Sequence, residues 1–167
     1  YDAAQDGRQL IPVEIDGNAR MRERPILDLV EGLRSLGAQV DVLGRGGCPP
    51  VRVHGGGLPG GSGQIDASRS SQYVSALLLA APYAARDVEL RFAGAVVSRP
   101  YIDLTLQLMR RFGAEADWHA DAAGESLRVR AGRPYGAQDY AIEPDASSAA
   151  YPFCAAAIAG GRVRVEG

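Results

Sequence analysis

Two kinds of segment each occur twice in this chain, at a separation of about 76 residues. One is an amphipathic helix that follows a proline, at residues 25–38 and again at 100–114. The other is an Asp-Ala-Ser turn before an apolar helix, at 66–81 and again at 145–159. Fixed-period self-similarity indicates supersecondary units that bury their apolar faces against one another. The chain is therefore predicted to be a piece of a longer repeat architecture, with helix, strand, strand, strand, helix and strand in cyclic order.

The spacing of apolar residues predicts both helices and strands, hence an α/β (α+β) fold. The helix that follows Pro25, a residue suited to a first helical turn, is expected to end at Gly37. Further helices are predicted after Ser70, over 102–112 and over 149–159, and strands over 11–15, 38–43, 51–54, 64–67, 88–92, 115–118, 127–130, 140–142 and 162–165.

Charge and composition exclude several classes of function. The formal net charge is -2, whereas a nonspecific nucleic-acid or membrane binder carries a basic excess. All 18 cationic side chains are arginine, whose planar fork suits carboxylate and phosphate groups. Two cysteines and two histidines do not fall at zinc spacing, so no metal is predicted. No apolar run reaches membrane-spanning length and no signal segment is recognised, which makes the cytoplasm the expected location.

The turn at Ser70 and Ser71 is the first candidate for a binding site. Serine is a favoured helix N-cap, and adjacent hydroxyls beside the positive end of a helix can hold a phosphate. The same residues would also serve a capped core helix that binds nothing. From this stretch alone, the capped helix without a ligand is the favoured interpretation.

The glycine-rich stretch at 55–63 is a weaker candidate. Gly55, Gly57 and Gly60 match the spacing of a dinucleotide fingerprint, but Pro59 interrupts it. A strand, not a helix, is expected next, so a flexible turn is the better interpretation.

Four separated motifs, taken together, are similar to the central part of the EPSP synthase (3-phosphoshikimate 1-carboxyvinyltransferase) family. The resemblance runs from about Val13 to Gly167 in the same order and with nearly the same spacing. The related UDP-N-acetylglucosamine enolpyruvyl transferases share the fold without the Ser-Ser-Gln and Ser-Arg-Pro-Tyr-Ile-Asp signatures. The motifs are Arg-Met-Arg-Glu-Arg-Pro-Ile at 20–26, Ser-Ser-Gln-Tyr at 70–73, Val-Ser-Arg-Pro-Tyr-Ile-Asp at 97–103 and Asp-Ala-Ser-Ser-Ala at 145–149.

The resemblance implies a fold of two similar domains, each built from three repeated βαβαββ units with the helices packed inside the sheets. Residues 13–142 would form most of the domain that binds shikimate 3-phosphate, and residues 143–167 would begin the second domain. Residues 1–10 do not match what precedes the first motif in the family. The chain is thus expected to be an excised fragment, a split chain or a variant member.

The resemblance also implies substrate-binding residues. Phosphoenolpyruvate would be bound by Arg24 and Gln72, because a guanidinium fork matches a carboxylate or phosphate oxygen pair. From the residues alone, the favoured interpretations are a surface arginine at a helix start for Arg24 and a core-facing ring for Tyr101. Shikimate 3-phosphate would be bound by Ser70, Ser71, Gln72, Ser98 and Tyr101.

The implied reaction transfers the enolpyruvyl group of phosphoenolpyruvate to the 5-hydroxyl of shikimate 3-phosphate and releases phosphate, a step of chorismate and aromatic amino-acid biosynthesis. No metal or organic cofactor is implied, and the expected partners are the two substrates and the remainder of the same enzyme. The family's lysines and proton-transfer residues have no counterpart here, so no catalytic residue is identified. The alternatives are a noncatalytic phosphate-binding module, another enolpyruvyl transferase, or a structural piece whose serines only cap helices.

Overall fold

A computed structural model describes residues 11–166; residues 1–10, which the sequence predicted not to match the family, and Gly167 lie outside the described part. The chain divides into two compact units, the first ending at Gly136 and the second beginning at Ala137. The helices and strands are β1 (Val13–Ile15), α1 (Leu27–Ser35), β2 (Val40–Val42), β3 (Val51–Val53), β4 (Gly61–Ile65), α2 (Ser71–Ala80), β5 (Val88–Phe92), α3 (Arg99–Arg111), β6 (Ala116–Asp121), β7 (Gly124–Val129) and α4 (Ala150–Ala159).

The first three strands form a small antiparallel sheet in the order β1-β3-β2. Helix α1 covers one face of this sheet, where Val30 packs against Val40 and Val51. The helix begins at Leu27, two residues after Pro25, so the proline precedes the helix and does not occupy its first turn. Its end is as expected, because Gly37 takes the left-handed conformation (φ 88°) that closes a helix.

The larger sheet has the order β4-β5-β7-β6, with β4 parallel to β5 and the other pairs antiparallel. Along the chain its elements run β4-α2-β5-α3-β6-β7, which is one βαβαββ unit. The apolar sides of α2 and α3 form the main core with the inner face of this sheet, which confirms the α/β class. The most deeply buried side chains there are Ile65, Val74, Leu77, Leu78, Leu90, Ile102, Leu106, Met109, Leu127 and Val129.

The two helices that resemble each other in sequence also end in the same way. At the end of α1, the Ala38 N–H donates to the carbonyl of Leu33 at 3.0 Å. At the end of α3, the Ala114 N–H donates to the carbonyl of Met109 at 2.9 Å, and Gly113 has φ 94°. Both are the six-to-one bond of a Schellman motif. The local geometry therefore repeats, while the larger repeat architecture stays a prediction.

Strand β4 begins inside the glycine-rich stretch that the sequence indicated as a flexible turn. A Cβ at Gly63 would lie 2.6 Å from the Leu36 side chain and 2.7 Å from Ser35 Oγ. Ser35 also bonds Gln64, whose N–H donates to the serine hydroxyl at 2.9 Å. The glycine is thus needed for α1 to pack closely on a strand, a contact that no local pattern records.

The second unit contains α4 and the turn before it. The Asp145 carboxylate accepts the Ser147 N–H at 2.9 Å and the Ser148 hydroxyl at 2.7 Å, and these bonds lower the pKa of Asp145. Helix α4 itself is apolar and exposed, with Tyr151 and Ile158 open to solvent. The strands expected over 140–142 and 162–165 do not form, because neither segment has a pairing strand among residues 11–166.

Candidate functional site

A cleft of about 680 Å³ lies along the exposed side of α2 and α3. It brings together five of the six binding residues expected from the sequence: Ser70, Ser71, Gln72, Ser98 and Tyr101. The other lining residues are Arg69, Ser75, Ala76, Leu79, Leu104, Thr105 and Leu108.

The two helices point their N-termini at the same end of the cleft. Each follows one of the parallel strands β4 and β5, so both begin at the carboxyl edge of the sheet, where open α/β sheets bind ligands. The loops that lead into them are joined, because the Val97 N–H donates to the Ala67 carbonyl at 3.2 Å. Two helix N-termini therefore face one space, and their positive ends favour an anion.

The start of α2 is fixed by a side-chain-bonded turn and by one N-cap. The Asp66 carboxylate accepts the Ser68 N–H at 2.8 Å and the Ser68 hydroxyl, and these bonds lower the pKa of Asp66. Ser70 has extended backbone and accepts the Gln72 N–H at 3.2 Å, which confirms it as the N-cap. Ser71 is buried, with 7% of its surface exposed, yet it lines the cleft. Ser70 and Gln72 thus form the cap and also line the cleft, together with Ser71.

The start of α3 differs in one respect. Ser98 occupies the N-cap position with φ 54° and ψ 40°, and its side chain makes no capping hydrogen bond. Among residues 11–166 it is the only non-glycine residue with a positive φ. Such strain, on the order of 1–3 kcal/mol, persists where the surrounding structure imposes it and is concentrated at functional sites.

The sequence did not predict a binding role for three polar residues that line the cleft. Arg69 is 71% exposed at the mouth, and Ser75 and Thr105 lie deeper, where their hydroxyls are 2.8 Å apart. The signal for Ser75 was its position four residues after Ser71, which places both on one face of α2. The contact between Ser75 and Thr105 depends on how α2 packs against α3, which cannot be predicted from the sequence.

Arg24 is the expected binding residue that does not line this cleft. It is exposed, with extended backbone at the end of a short helical turn over Met21–Glu23. The next residue is tied to α2, because the Tyr73 hydroxyl donates to the Pro25 carbonyl at 2.6 Å. Arg69 also reaches the first turn of α1, 3.8 Å from Asp28. The Arg24 backbone therefore lies on the flank of α2, next to the turn that carries Gln72.

The chemistry available in the cleft is recognition of an anion and of hydroxyl groups. The lining residues supply five hydroxyls besides that of Tyr101, one amide and one guanidinium, with no carboxylate, histidine or lysine among them. The set therefore lacks the carboxylate and imidazole side chains that most often act as general acid or base. Residues 11–166 also contain no group of three His, Cys, Asp or Glu side chains placed to hold a metal ion.

Comparison with known proteins identifies the family of this chain. The family model described as EPSP synthase (3-phosphoshikimate 1-carboxyvinyltransferase) matches residues 3–167. The chain belongs to the EPSP synthase family. The match begins about ten residues before Val13, where the resemblance was expected to start.

Curated relatives from distant organisms agree with this assignment. The chain is 51% identical over 93% of its length to the 3-phosphoshikimate 1-carboxyvinyltransferase of Edwardsiella ictaluri, of which it covers 36%. It is 50% identical over 92% of its length to a chloroplastic 3-phosphoshikimate 1-carboxyvinyltransferase of Nicotiana tabacum, of which it covers 30%. The chain thus spans about a third of the length of these EPSP synthase relatives.

A solved structure supports the fold. The EPSP synthase of Acinetobacter baumannii superposes with a TM-score of 0.66 at 26% identity, covering 90% of this chain and 32% of that one. Within residues 11–166 no helix is both long and apolar enough to cross a membrane.

Proposed function

We propose that this chain supplies the shikimate 3-phosphate side of the cleft of an enolpyruvyl transferase. The reaction is transfer of the enolpyruvyl group of phosphoenolpyruvate to the 5-hydroxyl of shikimate 3-phosphate. The hydroxyl loses its proton to a base and adds to C2 of the donor, whose C3 gains a proton. Loss of phosphate from C2 and of a proton from C3 of the tetrahedral adduct leaves an enolpyruvyl ether. The observation that carries the proposal is the meeting of two helix N-termini and their serines, Ser70 and Ser98, in one cleft.

The phosphate group of shikimate 3-phosphate is assigned to the mouth of the cleft. Hydroxyls of Ser70, Ser71 and Ser98 stand there beside two positive helix ends, and charge-assisted hydrogen bonds to a phosphate are among the stronger ones in proteins. Arg69 is the only charged side chain among the lining residues and adds a full positive charge. Tyr101, 65% exposed at the rim, is assigned to the carbon ring of the acceptor.

Phosphoenolpyruvate is assigned to Arg24 and Gln72. Gln72 lies in the first turn of α2, and the bond from Tyr73 to Pro25 holds the chain near Arg24 beside that turn. The Arg24 side chain is outside the cleft of this chain, so its contact with the donor requires either a bound substrate or the remainder of the enzyme. A planar guanidinium there would pair with the donor's carboxylate or phosphate oxygens.

The general acid and base are assigned to the remainder of the enzyme, since the lining residues include no carboxylate or imidazole side chain. That remainder is also proposed to close over the cleft, which would exclude water and bring two crowded anions together. In the same proposal, residues 13–142 belong to one domain and residues 143–167 begin the other. No organic cofactor or metal takes part, and the cytoplasm is the proposed site of action.

Isothermal titration of the 167-residue chain with shikimate 3-phosphate tests this proposal, with shikimate as the control ligand. Binding that is at least tenfold tighter for the phosphorylated ligand is the expected result, since one lost charged contact is about 1.4 kcal/mol or more. Turnover recovered by adding the missing segments of an EPSP synthase would assign the chain to an enzyme.

Two outcomes would contradict the enzymatic proposal. Phosphate-dependent binding without turnover in the reconstituted mixture would favour a noncatalytic phosphate-binding module. No binding, with Ser70→Ala affecting only thermal stability, would leave the serines as helix caps in a structural piece. A preference for a UDP-sugar over shikimate 3-phosphate would indicate the other enolpyruvyl transferases.

A further inference from the structure

The hairpin of β6 and β7 contacts the first turn of α3 at Arg99. Arg99 directs two guanidinium nitrogens at the Glu125 carboxylate, with contacts of 2.9 and 3.2 Å. The same guanidinium lies over the ring of Trp118, its central carbon 3.9 Å from the ring centre. A two-pronged ion pair combined with an aromatic stack holds its geometry far better than an ordinary surface pair.

Trp118 holds α3 at a second point. Its indole N–H donates to the Asp103 carboxylate at 2.7 Å, one turn after Arg99 on the same helix. Its ring also packs on Phe92 at the end of β5, with centroids 5.6 Å apart. The indole is therefore fixed between the sheet and the helix, and it presents a rigid platform to the Arg99 guanidinium.

We call the contacts of Arg99 with Glu125 and Trp118 the Arg99 clamp. Ser98 immediately precedes Arg99 and is the residue held in the left-handed conformation. A serine released from its surroundings prefers negative φ, because its Cβ meets the following carbonyl in the left-handed region. With no capping bond from its own side chain, Ser98 depends on the elements around it to keep this conformation. The Arg99 clamp fixes the side chain of Arg99, the residue that directly follows Ser98.

We propose that Arg99 is a positioning residue that holds Ser98 left-handed and so keeps its hydroxyl in the phosphate end of the cleft. The expected effect of Arg99 on ligand binding rests on the proposed function. The expected effect of Arg99 on the backbone of Ser98 is independent of that function. Arg99 lines a separate hollow with Phe92 and Glu125, so it acts on the ligand through Ser98 and not by touching it.

The test compares Arg99→Gln with Arg130→Gln in the 167-residue chain. Arg130, the residue after β7, forms a similarly exposed ion pair with Glu115 at 3.1 Å, so its replacement removes the same charge away from the cleft. Affinity for shikimate 3-phosphate is measured by calorimetry, and the melting temperature by circular dichroism. Arg99→Gln is expected to weaken binding about tenfold, and Arg130→Gln less than twofold, for a similar shift in melting temperature. Arg99→Lys, which keeps the charge without the fork, should recover little of the loss.

Ser98→Gly provides a readout that does not need a ligand. In the wild-type chain, relaxation of the strained Ser98 should offset part of the loss caused by Arg99→Gln. Glycine takes positive φ without strain and has none to release, so Arg99→Gln should lower the melting temperature more in the Ser98→Gly background than in the wild-type chain. Equal losses in both backgrounds, or wild-type affinity in Arg99→Gln, would overturn the positioning role while the proposed function stands. Absence of binding by the wild-type chain would overturn the proposed function, and the melting temperatures would still decide the role of Arg99.

Discussion

The hydroxyls of Ser75 and Thr105 lie 2.8 Å apart and join α2 to α3 beneath the mouth of the cleft. Thr105 also donates to the Tyr101 carbonyl at 2.9 Å, and a hydroxyl has one proton to donate. Ser75 is therefore the donor of the pair, and its own lone pairs remain available to accept. The floor of the cleft thus accepts hydrogen bonds, whereas its mouth, formed by helix N-termini, donates them.

Thr105→Val should lower stability by about 1 kcal/mol, because Ser75 then loses its acceptor in a half-buried place. Chemical denaturation gives the value, and the double variant with Ser75→Ala gives the coupling between the two hydroxyls. If the two single losses simply add, the hydrogen bond contributes nothing and the hydroxyls act independently. Binding of shikimate 3-phosphate should weaken in both single variants, since the spacing of the two helix N-termini depends on this contact.

Ser70 has two assigned roles, and two substitutions separate them. Ser70→Ala should cost roughly 1 kcal/mol of stability through the lost N-cap. Ser70→Asp should keep stability close to that of the wild type, because aspartate is an equally good N-cap and its charge suits a helix N-terminus.

The same Ser70→Asp variant should bind shikimate 3-phosphate at least tenfold more weakly, since a carboxylate would face the phosphate at short range. Thermal melting and calorimetry on one sample give both quantities. Undiminished affinity in Ser70→Asp would place the phosphate elsewhere in the cleft.

Arg69 should contribute affinity that depends on salt. Its side chain is mostly exposed, so Arg69→Gln is expected to weaken binding of shikimate 3-phosphate a few-fold at low ionic strength and much less near 0.5 M salt. Arg110→Gln is the control, because Arg110 also holds a loose pair, 3.7 Å from Asp117, at the far end of α3. A salt-independent loss in Arg69→Gln would indicate a steric effect.

Asp121 should make the first unit sensitive to acid. Hydrogen bonds from the Arg91 guanidinium and from the Ala123 N–H lower the pKa of Asp121 from 3.8 to about 2. A carboxyl with a lower pKa in the folded state stabilises the fold above its ordinary pKa and loses that contribution as pH falls toward 2.

Asp121→Asn should therefore be less stable than the wild type at pH 7, and the difference should shrink between pH 4 and about 2. Urea denaturation across this range measures it. Asp117→Asn, on the same strand, is the control. A difference that stays constant with pH would mean that the ion pair with Arg91 does not stabilise the fold.

Local patterns were sufficient for the parts of this protein that depend on near neighbours. The Ser70 cap and the glycine that ends α1 follow from bonds within a few residues of one another, and strand Val88–Phe92 follows from its alternation. The four motifs together gave the family, because their order and spacing along the chain are far more specific than any single one. The site residues they imply remain predictions, although five of the six line one cleft.

The tertiary structure decided what depends on distant contacts. Gly63 pairs with Leu90 of β5 and leaves room for the end of α1, which lies 28 residues earlier in the chain. Ser98 is left-handed next to Arg99, which contacts Trp118 of β6 and Glu125 of β7. The segment at 140–142 has a strand pattern but belongs to neither sheet of residues 11–166. Short-range preferences fix caps and periodicity, while packing, register and backbone strain are set by residues that the chain brings together only when it folds.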